Sequence, residues 1–166
     1  MDLIGLIKKR RSVREFADSP IPERELEKIV DAARFAPTAR NVQPWEFVAV
    51  TAKDTLKEIG RITDHGKFIA AATACIAVFS KDTKYYLEDC CAATENLMLA
   101  AAALGVASCW VAGDKKPYGG TLVQLMGVPQ GYKLVSLVAL GYPLTGEVFR
   151  EVEKRSLAEV LHWQRF

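Results

Sequence analysis

From Asn96 to Gly113 the chain carries no charged residue, and this stretch limits what the rest can be. It reaches the lower edge of a membrane span in length. It is also rich in alanine, interrupted by Gly105 and Ser108, and lacks the Leu/Ile/Phe density that insertion needs. The stretch therefore reads as the end of a buried helix followed by a buried strand. Lys84 to Leu104 has the length and composition of a long central helix, with Leu87, Cys90, Cys91, Leu97, Met98, Ala101 and Leu104 as its apolar positions. Gly105 is its predicted C-cap, and Val106 to Val111 is strand-like.

Three further apolar runs read as strands: Trp45–Val50, Ala74–Phe79 and Leu134–Leu140, the last two continuous enough to be buried on both faces. Asp2 is placed to cap a short helix with Leu3, Ile4, Leu6 and Ile7 inward, and the basic end Lys8-Lys9-Arg10-Arg11 suits the negative end of its dipole. Pro22 is tolerated in the first turn of a second helix. Leu26, Ile29, Val30 and Ala33 give that helix one buried stripe, and Pro37 ends it. Thr51-Ala52-Lys53-Asp54 resembles a helix start with Leu56, Ile59 and Ile62 behind it. Thr121–Met126 is a short helix closed by Gly127, and Ser156-Leu157-Ala158-Glu159 is a capping box opening a last one. The sum predicts an α+β fold with four strands and helices on both faces.

With 166 residues, half of them hydrophobic, the chain has enough apolar surface for a single domain over residues 1–166 and is not disordered. Its 22 basic and 20 acidic side chains leave a net charge of +2, which argues against a general nucleic-acid binder. Leu3–Ile7 is too short for a signal-peptide core and precedes its basic residues instead of following them. The four cysteines form no C-x-x-C and stand far from His65 and His162, so no zinc site or disulfide framework is expected. A cytoplasmic protein with small buried thiols, no metal and no membrane partner is predicted. Beyond Tyr142-Pro143 the chain has little regular pattern, yet Val148, Phe149, Leu157, Val160, Leu161, Trp163 and Phe166 are apolar. A tail that hydrophobic must dock, either back on its own domain or around a second subunit.

Two segments carry possible chemistry. Five of the seven positions from Lys8 to Arg14 are basic. A solvated helix end or a nucleic-acid arm would account for the charge alone. The alternation Arg10-x-Ser12-x-Arg14 adds something more specific, because an extended backbone puts the three on one face. Two guanidiniums and a hydroxyl there suit a phosphate, since Arg binds such oxygens through paired donors. The second segment is Ala36-Pro37-Thr38-Ala39-Arg40-Asn41-Val42-Gln43-Pro44-Trp45. Turn chemistry explains Pro37, Asn41 and Pro44. Arg40 and Gln43 are less easily explained, and a stiff loop presenting amides also suits the edge of a planar heterocycle. There is no G-x-G-x-x-G after a strand, no P-loop, no G-x-S-x-G elbow and no H-E-x-x-H. His162 reads as a helix-end or packing residue. With so few acids, bases and nucleophiles in sight, a cofactor is expected to carry any chemistry, and no catalytic side chain is assigned.

At these motifs the sequence resembles the FMN-dependent nitroreductase family. The resemblance lies in R-R-S-x-R-x-F near the start, A-P-T-A-R-N-x-Q-P-W after the second helix, and D-C-C-A-A-T-E-N-L-M-L-A-A-A-A-L-G-V-A-S-C-W-V-A-G in the middle. A-L-G-Y-P and K-R-S-L-A-E-V-L-H-W follow in matching order, so the likeness runs from about residue 3 to 163. It implies a nitroreductase-like fold, with a central, mostly antiparallel sheet flanked by helices and a C-terminal extension wrapping the partner of a homodimer. It implies FMN at the subunit interface. Arg10 and Ser12 would lie around its phosphate and ribityl chain and Arg14 at the pyrimidine edge, Arg11 would also bind the cofactor, and Lys154 and Arg155 would close on the phosphate. Pro37, Thr38, Ala39, Asn41 and Gln43 would come from the other subunit, and Val111, Ala112 and Gly113 would offer a backbone N–H towards N5. NADH or NADPH would be the donor, and a nitroaromatic, quinone or similar small molecule the acceptor. Alternatives of the same fold are dehalogenation, a specialised oxidation, or a non-catalytic flavin-binding module. One departure concerns the family's Asn or Lys before the second strand, where this chain has Asp64-His65-Gly66-Lys67-Phe68. Another is that little is inserted between Asp114 and Thr121, where larger relatives place substrate-covering segments.

Overall fold

The computed structural model describes residues 2–146 and 148–166. Four strands, β1 (Trp45–Val50), β2 (Ala74–Lys81), β3 (Ala107–Ala112) and β4 (Tyr132–Gly141), form one sheet in the order β1-β2-β4-β3. Every neighbouring pair is antiparallel. All four fall on the apolar runs, with ends shifted by at most two residues.

β2 shows why those runs are continuous. Cys75, Ala77 and Phe79 pack on Leu56 and Ile59 of α3 (Lys53–Ile62) and Leu122 of α5 (Gly119–Leu125). On the opposite face, Ala74 and Ile76 meet Leu26 and Ile29 of α2 (Glu23–Ala33) and Leu97 and Ala101 of α4 (Tyr86–Ala103), and Val78 packs with Cys90 and Ala93. Helices cover both faces, so neither half of the alternation meets water. Each fully buried Leu or Ile stabilises the fold by roughly 1.5–3 kcal/mol.

The uncharged stretch resolves as expected. Gly105 takes φ +74, the Val106 N–H donates to the Ala101 carbonyl at 2.9 Å, and the Gly105 N–H donates to Ala102 at 3.0 Å. This Schellman closure needs a left-handed residue, a conformation that costs about 1–2 kcal/mol with a side chain present. It turns α4 directly into β3. Among the described residues no helix is long and apolar enough to cross a membrane.

Three expectations need correction, and two others, the start of α3 and the docking of the tail, are sharpened. Asp2 does cap α1 (Leu3–Lys9), its Oδ1 accepting from the Gly5 N–H at 2.7 Å, but Leu3, Ile4 and Ile7 face outward, at 66%, 62% and 46% exposure. Nothing among the described residues covers that face of α1. Pro22 stands at the N-cap of α2, not inside its first turn, and Ala52 occupies the cap of α3 without a side-chain bond. The Ser156 N–H does reach Glu159 Oε2 at 2.7 Å, but the box closes a single 3-10 turn, Leu157–Glu159. The tail has not folded back on its own domain: Leu157, Val160, Leu161, Trp163 and Phe166 all stay exposed.

Candidate functional site

The basic segment is extended because it runs along the end of the sheet. Ser12 bridges Ser108 of β3 in parallel and Phe16 bridges Pro143, with the Val13 N–H on the Ser108 carbonyl and the Ala17 N–H on Tyr142, each at 2.9 Å. Phe16 is buried against Gly141, where an added Cβ would come within 2.8 Å of the Phe16 side chain. The first motif and A-L-G-Y-P thus explain each other, since the glycine leaves room for the phenylalanine.

The three alternating side chains reach different layers. Arg10 points to the α4 side, its Nε 3.7 Å from Glu95 Oε1, and its Nη1 is buried with no hydrogen-bond partner among the described residues. Arg14 reaches the other side, 5.6 Å from the centre of the Phe68 ring. Both act on Cys109 between them. Burial pushes that thiol up, while Arg14, the Ser12 hydroxyl and Arg10 pull it back. Arg11 turns away, donating to the Lys9 and Lys8 carbonyls at the end of α1. Ser12 and Arg14 also line a 490 Å³ cavity roofed by Leu144, Val148 and Val152 at the base of the tail.

Arg14, Val111 and Ala112 share a smaller cavity of 140 Å³ with His65, Phe68, Lys116 and Tyr118. Strand parity decides which amide of this segment is free. The Ser108 carbonyl faces outward to Val13, so the backbone groups of Trp110 and Ala112 face the same open edge. The Ala112 carbonyl accepts from Tyr118 Oη at 2.8 Å, whereas the Gly113 N–H points inward to Val135 at 2.9 Å. A bulge on β4 at Val135, between the pairs Val78–Ser136 and Phe79–Leu134, makes that turn possible. An added Cβ on Gly113 would lie 2.5 Å from Leu134 Cγ.

The loop after α2 is strained. Arg40 and Asn41 have φ +55 and Gln43 has φ +50. Asn tolerates this region, but Arg and Gln cost about 1–2 kcal/mol each. Asp89 of α4 holds the loop from below, Oδ2 accepting from the Thr38 hydroxyl at 2.8 Å and Oδ1 from the Ala39 N–H at 3.2 Å. Thr38 Oγ1 accepts in turn from the Gln43 N–H at 3.1 Å. Pro37, Asn41 and Gln43 are exposed, and Ala39, Arg40 and Val42 edge a 190 Å³ cleft. That cleft shares no residue with the cavities around Arg14. Lys154 is exposed on the tail, and Arg155 Nη2 donates to the Glu159 carbonyl at 2.7 Å. Lys67 is tied to the Arg61 carbonyl at 3.0 Å and does not line the Arg14 cavity.

Sequence reasoning named the stretch Asp64–Phe68 without assigning His65 or Phe68 a role, and it missed Lys116, Tyr118 and Asp89. For Asp89 a signal existed. It stands four residues before Ala93 on the buried stripe of α4, where an acid has to have partners.

Comparison with known proteins gives one consistent result. The model of the Nitroreductase family matches residues 7–65 and 65–142. A protein of Archaeoglobus fulgidus with the provisional name NADH dehydrogenase/NAD(P)H nitroreductase is 34% identical, covering 99% of each chain. The solved FMN-dependent nitroreductase of Clostridium difficile R20291 superposes with a TM-score of 0.90 at 25% identity, over 98% of this chain and 99% of that one. Iodotyrosine deiodinase 1 of Rattus norvegicus is 25% identical over 94% of this chain and 67% of its own.

Proposed function

The chain belongs to the Nitroreductase family, and on that premise we propose that it is an FMN-dependent NAD(P)H oxidoreductase working as a homodimer on a small electron acceptor. The observation that carries this reading is the buried, unpartnered Nη1 of Arg10. Orphaned buried donors are rare in proteins, and one on a guanidinium calls for an anion. The open-edge N–H of Ala112 and the exposed guanidinium of Arg14 complete a set that fits a phosphate at one end and a heterocycle at the other.

In this arrangement Arg10 and Ser12 hold the phosphate and ribityl chain, and Lys154 with Arg155 reaches it from the tail. Of Val111, Ala112 and Gly113, Ala112 is the one that would direct an N–H at N5. Arg14 would hold a positive charge at the pyrimidine edge. Pro37, Thr38, Ala39, Asn41 and Gln43 come from the other subunit and stiffen the opposite side. Bound FMN supplies the hydride chemistry between NADH or NADPH and a nitroaromatic, quinone or similar acceptor.

The exposed tail and the outward face of α1 support pairing. So does a 720 Å³ groove beside the free edge of β1, floored by Ile21, Leu26, Val30 and Phe47 and rimmed by Glu23 and Glu27. The exposed apolar side chains of the tail, Leu157, Val160, Leu161 and Trp163, match that apolar floor in chemistry. The test is the absorption spectrum and size of the purified protein, with and without residues 148–166. A flavin-bearing dimer that becomes a flavin-poor monomer on truncation supports the reading. A colourless full-length monomer that takes up no FMN ends it. The likeness to iodotyrosine deiodinase favours reductive dehalogenation as the second reading. Steady-state rates with nitroaromatic, quinone and halophenol acceptors separate the two, and bound flavin that no nicotinamide reduces would leave a binding module.

A further inference from the structure

We propose that Asp89 is a positioning residue: its carboxylate holds the loop from Thr38 to Gln43 in one strained shape, and that shape is the surface the flavin of the neighbouring subunit meets. The second half rests on the proposed function; the first half stands on this chain alone.

Asp89 is only 6% exposed, and among the described residues no lysine or arginine pairs with it. A buried carboxylate in that position is costly unless its oxygens accept hydrogen bonds. Both do, and both donors belong to the loop: Thr38 Oγ1 at 2.8 Å and the Ala39 N–H at 3.2 Å. Because the Thr38 hydroxyl gives its proton to Asp89, its lone pair is left to accept the Gln43 N–H at 3.1 Å. One side chain thus fixes both ends of the loop. Between those ends lie Arg40, Asn41 and, at the far end, Gln43 itself, all at positive φ. Non-glycine residues stay in that region only where their surroundings hold them there, and such strain collects where a ligand must be met by a preset surface. Released, Arg40 and Gln43 would return to ordinary backbone conformations and turn the loop's amides elsewhere.

The chemistry requires a carboxylate. An amide at position 89 still accepts from Ala39, but its NH₂ cannot accept the Thr38 proton. The hydroxyl would have to reverse, and its proton would then be left without a partner.

The test uses Asp89→Asn, Thr38→Val and Thr38→Ser in the full-length protein, read by hydrogen exchange at the Ala39 and Gln43 amides, by FMN affinity and by the visible spectrum of bound flavin. Asp89→Asn and Thr38→Val should speed exchange at both amides about tenfold or more. They should weaken FMN binding by a similar factor, since affinity falls with the fraction of loop in the competent shape, and displace the flavin band. Thr38→Ser should restore all three, and the double variant Asp89→Asn/Thr38→Val should be no worse than the worse single one. Unchanged exchange overturns the hold on the loop. Faster exchange with wild-type affinity and spectrum overturns its link to the flavin. If Asp89→Asn does not fold, Thr38→Val decides by the same outcomes. A wild-type protein that takes up no FMN overturns the parent reading, and the exchange data alone then settle whether Asp89 holds the loop.

Discussion

Replacing Arg10 by Met should strengthen the flavin-free protein and weaken its hold on FMN, two effects of opposite sign from one substitution. The buried Nη1 has no partner, and a buried unsatisfied donor costs about 1–3 kcal/mol. Against this stands the pairing of Arg10 with Glu95 at 3.7 Å, a half-exposed contact worth roughly 0–1 kcal/mol. Methionine keeps the apolar stem packed and lacks the orphan, so the desolvation effect wins and stability rises by about 1–2 kcal/mol. For a chain of this size that is an increase in Tm of roughly 2–8 °C. With FMN present, Arg10 makes a charge-assisted hydrogen bond of about 1.5–3 kcal/mol, so its loss should raise the Kd roughly 10- to 150-fold. Urea denaturation of the apoprotein and calorimetric titration with FMN measure the two sides. A variant less stable than wild type by more than about 1 kcal/mol, or one whose Kd stays within about threefold, refutes the reasoning.

Gly113→Ala places a Cβ 2.5 Å from Leu134 Cγ and 3.2 Å from the Val135 carbonyl carbon, so the edge must shift. Overpacking of this kind should cost about 1–3 kcal/mol in a denaturant melt, and a neutral result would show that Leu134 moves freely. Burial pushes the Cys75 thiol from an ordinary 9.0 to about 12. Above pH 9 the unfolded chain releases this proton while the folded chain keeps it. Stability should therefore fall as the pH rises from 9 to about 12, by up to about 4 kcal/mol from this group. Cys75→Ala should flatten that part of the curve of denaturation midpoint against pH; an equal slope in the variant would exclude the thiol as its source.

Much of the fold could be read from the sequence because burial on both faces leaves a plain mark. The runs at Ala74 and Leu134 and the Gly105 break after α4 need no knowledge of the rest of the chain. The outward face of α1 could not be read, because amphipathic spacing says that Leu3, Ile4 and Ile7 share a side but not what covers it. The assignment of the N5-side amide depended on register. One residue inserted at Val135 and the pairing of Ser12 with Ser108 select Ala112 over Gly113, and such parity is set by strand partners, not by local pattern. The strain at Arg40 and Gln43 was hidden for a related reason: neither residue prefers positive φ, and the force that holds them comes from Asp89, some fifty positions away.

Asp89 and Glu95 also bear on how the site is assembled, since both anchors stand on α4. Six residues apart, they lie about 9 Å apart along the axis and roughly 120° apart around it, so one chain's loop and clasp face different directions. A two-fold pairing that brings α4 helices together delivers the loop of each chain to the clasp of the other. Mixing Arg10→Met chains with Asp89→Asn chains separates this from a site built within one chain. In the mixed dimer a shared site combines the intact Arg10 of one chain with the intact loop of the other, and the second site has both defects. Random exchange should then return wild-type affinity to about a quarter of all sites, a population absent from either parent. A site contained in one chain gives no such recovery, because every chain in the mixture carries one defect. Titration of the exchanged mixture with FMN would show a tight phase of that amplitude if the site is shared, and only the two weakened phases if it is not.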